Sequence, residues 1–157
     1  MTIRIALYQP DIPQNTGTIL RTAACFGISV DIIEPAGFEL SDKALRRAGL
    51  DYLKHASLTR HHDWDAYLSW TNEADRRIVL FTSKATKTHT EFDFSESDIL
   101  LMGRESAGVP ETVHDAVDER IKIPIRDGMR SLNLAVACAI ATGEALRQTT
   151  NFAMPNE

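Results

Sequence analysis

The chain has 157 residues, a net charge of −5, 43% hydrophobic and 25% charged residues. That length fits one domain, residues 1–157, able to bury roughly 70% of its unfolded surface, so folding needs no disulfide or structural metal. The balance excludes a disordered chain and a protein that coats nucleic acid over its whole surface, and no apolar run nears the ~18 residues of a membrane span.

Residues 1–8 enter an alternating strand pattern at once, without the long apolar stretch and small-residue cleavage site of a secretory leader, so a cytoplasmic protein is expected. Residues 3–8 predict a buried strand and 15–26 a helix, with Asn15 as its cap. A second strand follows at 28–33, a short helix at 42–48 behind Ser41, and another helix around 63–70. Clear strands come at 77–82 and 98–102, a turn into a helix at Pro110, and a short strand at 120–123 closed by Pro124. Residues 131–148 form a long last helix behind Ser131, apolar nearly all round and rich in small side chains, which fits a central helix, a dimer interface, or both. Strands separated by helices imply an α/β fold, with a mostly parallel sheet covered on both faces.

There is no G-x-G-x-x-G, and Gly103 and Gly108 have P-loop spacing but are followed by Val109 where lysine is required. No His/Cys/Asp/Glu group has metal-ligand spacing; His61-His62 reads as a surface pair, and Cys25 and Cys138 as two buried reduced thiols. Three polar, glycine-bearing segments remain, each just past a strand, where ligands bind in open α/β sheets. The first runs from Pro13 through Gly17 to Arg21. On a helix Arg21 shares the face that Gly17 leaves open. The second surrounds Glu105 with Gly103 and Gly108, offering backbone groups and little bulk. The third leads from Ile123-Pro124 through Arg126, Gly128 and Arg130 to Ser131 and Asn133, with loop amides, carbonyls and two polar side chains at a helix start. Each alone also reads as an ordinary capped helix or turn. Cations gather in two places: Lys43, Arg46, Arg47, Lys54 and Arg60 face only Asp42 and Asp51 between residues 41 and 62, and Arg120, Lys122, Arg126 and Arg130 cluster near the end.

In this order, N-x-G-x-x-x-R, G-x-E-x-x-G and I-P…S-L-N resemble the three motifs of the SPOUT methyltransferases. More narrowly the chain resembles the TrmL/YibK-type tRNA wobble 2′-O-methyltransferases, including 33–38 (IEPAGF) and 46–52 (RRAGLDY). The resemblance implies a SPOUT-type α/β domain with a carboxyl-terminal trefoil knot, working as a homodimer on tRNA. It implies S-adenosyl-L-methionine as methyl donor, no metal, and 2′-O-methylation of the wobble cytidine or uridine ribose. By position, Phe81, Gly103, Ile123 and Ser131 would contact the donor; Arg21, approaching from the partner subunit, Glu105 and Asn133 would serve catalysis. Lys43, Arg46, Arg47, Arg126 and Arg130 would hold RNA phosphates. Relatives commonly carry tyrosine before the last helix's glutamate; here Gly143 precedes Glu144, so any support from that tyrosine must come from elsewhere. Three rivals stay open: a SPOUT enzyme acting on ribosomal RNA, a non-catalytic RNA-binding dimer, and a flavodoxin-like nucleotide-binding protein.

Overall fold

The computed structural model describes residues 1–47 and 51–149, with backbone only at 42, 46, 47, 51 and 53. Six strands, β1 (Arg4–Tyr8), β2 (Ser29–Ile33), β3 (Ser57–His61), β4 (Arg77–Phe81), β5 (Asp98–Met102) and β6 (Glu119–Ile121), form one sheet in the order β3-β2-β1-β5-β4-β6. Every pairing is parallel. The strands are joined by α1 (Pro13–Phe26), α2 (Asp42–Arg47), a 3-10 turn at Asp51–Lys54, α3 (Trp64–Glu73), α4 (Glu111–Ala116) and α5 (Leu134–Thr149).

Strand alternation sorts the core into two halves. Ile5, Leu7, Val30, Ile32, Val79, Leu100 and Met102 point to one face, where they meet Ile19, Leu20 and Ala23 of α1 and Ala135, Cys138, Ala141 and Ala145 of α5. Ala6, Tyr8, Ile33, Ile78, Leu80, Ile99 and Leu101 point to the other, against Tyr67 of α3 and Val113 of α4. Central strands buried on both faces explain their continuous apolar runs. The expected α/β architecture, a parallel sheet with helices on both faces, is what the chain forms.

Several local expectations are corrected. Asn15 does not cap α1: the helix starts earlier, at Pro13, where the missing proline N–H costs nothing, and its N-cap is Ile12. α5 begins at Leu134 rather than residue 131, because Asn133, not Ser131, accepts the N–H groups of Ala135 (2.9 Å) and Val136 (3.2 Å). The predicted end of α2 at residue 48 lies outside the described residues. Cys25 is exposed, since it falls on the outer side of α1; Cys138 is buried, and burial pushes its thiol up to about 12. His61 is buried rather than superficial. Its Nε2 lies 2.9 Å from the fully buried Asp31 carboxylate, which also accepts both arms of Arg4 at 2.7 and 2.9 Å. That triad ties β1, β2 and β3 together, and β3 itself has no counterpart among the predicted strands.

Candidate active site

The strand order reverses between β1 and β5, where the loops after the two strands are tied together through Glu105, and the open cleft lies to one side, over the carboxyl ends of β4, β5 and β6. The loop after β5 is folded tightly on itself: Arg104 and Gly108 exchange backbone hydrogen bonds at 3.0 and 2.9 Å. Gly108 has φ +59°, and a Cβ on Gly103 would stand 2.8 Å from the Gly108 backbone, so glycine is required at both ends of the turn. This closed turn and the loops after β4 and β6 surround a cleft of about 640 Å³.

Phe81, Gly103, Ile123 and Ser131 all line that cleft, together with Glu105, Arg126 and Arg130. Four positions from three separate strand ends thus converge on one concavity. Its walls are rich in backbone: Gly103, Gly108 and Gly128 contribute no side chain, and Gly128 sits at φ +86°. Arg126 and Arg130 are exposed on its rim. Arg120, by contrast, is turned inward and donates to the carbonyls of His114 (2.7 Å) and Val117 (3.3 Å), so it is committed to the fold.

Glu105, Asn15 and Asn133 are joined in one hydrogen-bonded run whose direction is set by α5. Asn133 Oδ1 accepts the first α5 N–H groups, which leaves its Nδ2 to donate to Asn15 Oδ1 at 3.0 Å. Asn15 Nδ2 must then donate, and it meets Glu105 Oε1 at 3.4 Å. Glu105 Oε2 accepts the Asp11 backbone N–H at 3.1 Å. Every member but Glu105 is thereby fixed as donor or acceptor, and the carboxylate is needed as acceptor on both oxygens. Burial, aided by the neighbouring Asp11 carboxyl, raises the Glu105 pKa; hydrogen bonds with Glu105 and Ser106 lower that of Asp11.

Asp11 was not among the sequence candidates. It sits in the β1–α1 loop, packed so closely against Gly37 that a Cβ there would fall 2.7 Å from its own Cβ. The Gly37 N–H donates to the Pro10 carbonyl at 2.8 Å, so the loops after β1 and β2 lock each other. Only a pro-aspartate dipeptide after a strand marked this position, and that is too common a signal.

Arg21 does not line the cleft of its own chain. It is exposed on α1, its guanidinium carbon 4.9 Å from the centre of the Tyr52 ring. Gly17 is buried, so the open face expected to hold both residues carries Arg21 alone. Lys43 is exposed on α2, apart from the cleft; the side chains of Arg46 and Arg47 lie outside the described residues. No cluster of three or more His, Cys, Asp or Glu with metal-holding geometry is present among the described residues, and none of the described helices is long and apolar enough to cross a membrane.

An all-parallel sheet with a glycine-walled cleft over the ends of β4, β5 and β6, and with Arg126 and Arg130 exposed on its rim, defines an α/β protein with room for a small ligand. The chain belongs to the SpoU rRNA methylase family, whose model matches residues 2–143. It is 58% identical over 144 residues to the tRNA (cytidine(34)-2′-O)-methyltransferase of Beijerinckia indica, covering 92% of this chain and 90% of that one. A structure solved for insight into 2-OH methylation of C/U34 on tRNA superposes with a TM-score of 0.87 at 43% identity, over 94% of this chain and 95% of the other. The AdoMet-bound rRNA methyltransferase of Sinorhizobium meliloti superposes at 0.85 and 26% identity, over 93% of this chain but 56% of that longer one.

Proposed function

We propose that this chain is a homodimeric tRNA methyltransferase, moving a methyl group from S-adenosylmethionine to the ribose 2′-oxygen of the wobble nucleotide, cytidine or uridine 34. The observation that carries the reading is the convergence of three distant segments. Glu105, Asn15 and Asn133 form one directed hydrogen-bond run beside a cleft lined by Phe81, Gly103, Ile123 and Ser131. Similarity along nearly the full length of relatives named for position 34 favours tRNA over the ribosomal RNA of the longer relative.

The residues fit the donor. A cleft of 640 Å³ has the size of a small-molecule site, and walls of loop backbone and glycine suit an adenine edge in a tight pocket. When bound, S-adenosylmethionine supplies a methyl group already activated by a sulfonium charge. Phe81, Gly103, Ile123 and Ser131 would hold it, within a carboxyl-terminal trefoil knot. The protein's remaining tasks are to align the ribose hydroxyl and to let its proton leave. Glu105, Asn15 and Asn133 keep the loop walls in register. Arg126 and Arg130 on the rim, with Lys43, Arg46 and Arg47 on α2, hold phosphates. Arg21 of the partner subunit supplies the guanidinium, since Arg21 stands outside its own cleft. Residues 1–157 act as one domain, in the cytoplasm where tRNA is found.

The test is to incubate the protein with labelled S-adenosylmethionine and total RNA, and map the methylated nucleotide. A 2′-O-methyl group at position 34 of tRNA is expected. Label confined to ribosomal RNA, or none at all, would reject the assignment.

A further inference from the structure

We infer that Tyr52 is a positioning residue for Arg21: its ring, carried on the 3-10 turn, holds the guanidinium plane so that the N–H edges stay free for RNA. The inference rests on the reading that Arg21 serves methyl transfer. Arg21 is exposed on α1, and a long arginine stem left to itself samples many rotamers that must be given up when it acts. The structure limits that freedom in one direction. The Arg21 guanidinium carbon lies 4.9 Å from the Tyr52 ring centre, inside the range of a cation–π contact. Among the described residues no carboxylate or carbonyl accepts from its N–H groups, so the aromatic contact leaves those donors available.

Tyr52 is itself fixed. Its carbonyl accepts the N–H groups of His55 (2.9 Å) and Ala56 (3.0 Å), its side chain is half-buried, and the turn packs against α1. The ring is therefore anchored to the helix whose arginine it aims. A carboxylate in its place would bind the fork by its edges and compete with phosphate; an aromatic face orients the group without occupying it. Neither Tyr52 nor Arg21 lines the cleft, so the contact can be removed without touching the donor site.

The experiment compares Tyr52→Leu, Tyr52→Phe and Arg21→Lys by kcat, KM for tRNA, S-adenosylmethionine affinity from calorimetry and melting temperature. Tyr52→Met takes the place of Tyr52→Leu should leucine unfold the turn. The expected result is a kcat lowered about tenfold in Tyr52→Leu, the size of one partly desolvated cation–π contact, with donor affinity unchanged and Tyr52→Phe near the parent. Turnover in Tyr52→Leu equal to the parent, while Arg21→Lys is impaired, overturns the positioning role and leaves the Arg21 reading standing. Equal loss in Tyr52→Phe and Tyr52→Leu overturns it too, because the hydroxyl and not the ring would then matter. Full activity in Arg21→Lys removes the Arg21 reading and, with it, this inference.

Discussion

A guanidinium stays protonated far above neutral pH, so Arg21 can stabilise negative charge but cannot accept the ribose proton. In the proposed function its worth would lie in the planar fork. Arg21→Lys keeps the charge and loses the two-armed geometry, and kcat should fall by about tenfold to a hundredfold with KM for tRNA changing less, measured by initial rates of methyl transfer. Glu105 gives a second residue-scale test. Because the α5 cap forces Asn133 and then Asn15 to donate, both Glu105 oxygens face donors, Asn15 Nδ2 and the Asp11 N–H. Glu105→Gln places an NH₂ against one of them, leaving a donor facing a donor in a half-buried site. A loss of about 1–3 kcal/mol is expected, seen as a lower melting temperature together with reduced turnover. An unchanged melting temperature would mean that the run of hydrogen bonds does not hold the loops.

The end of α5 is secured by side chains that reach across to the segment before β5. Gln148 donates to the Phe92 carbonyl (2.9 Å) and accepts the Phe94 N–H (2.8 Å) while also donating to Glu144 (2.8 Å). Gln148→Ala orphans two part-buried backbone groups, and a stability loss of about 2–3 kcal/mol is expected from urea unfolding. Glu144 is held down to about 2 by hydrogen bonds from Arg147 and Gln148, with His89 adding attraction. Its folded value lies below the ordinary 4.5, so its contribution is present above about pH 4.5 and is lost as pH falls towards 2. The gap in urea midpoint between the parent and Glu144→Gln should therefore close across that window. How much of each element was legible follows from its burial. Strands 77–82 and 98–102 were readable almost to the residue because both faces are buried, which leaves an uninterrupted apolar run. β3 (Ser57–His61) escaped because it is an edge strand whose residues are mostly exposed, with only His61 buried. Gly103, Ile123 and Ser131 were legible as loops following strands. The hydrogen-bond direction was not, since Asn15 meets partners 90 and 118 residues away and its cap-like position suggested a local role instead.

On the scale of the whole molecule, four large apolar side chains at the start of α1 and along α5 stay exposed. Ile12 at the start of α1, Leu132 just before α5, and Val136 and Ile140 one turn apart on α5 are each more than a third exposed, on adjoining elements. Gly143, one turn beyond Ile140 on α5, has open space above its backbone. Scattered apolar residues are ordinary, and the proposed dimer would cover these four. Arg21 is on α1 and outside its own cleft, and the proposed function assigns it to the partner's cleft. Two inactive variants should then rescue each other. Arg21→Ala lacks the guanidinium, and Gly103→Ala narrows the cleft by placing a Cβ 2.8 Å from the Gly108 backbone. Mixed after unfolding and refolding together, half the dimers pair one variant with the other, and one of their two sites has both an intact cleft and an intact arginine. Recovery of about one quarter of parental activity is expected from that statistic. A mixture no more active than its components would place Arg21 at its own chain's cleft, and Val136→Glu should then leave turnover intact even as a monomer on a sizing column.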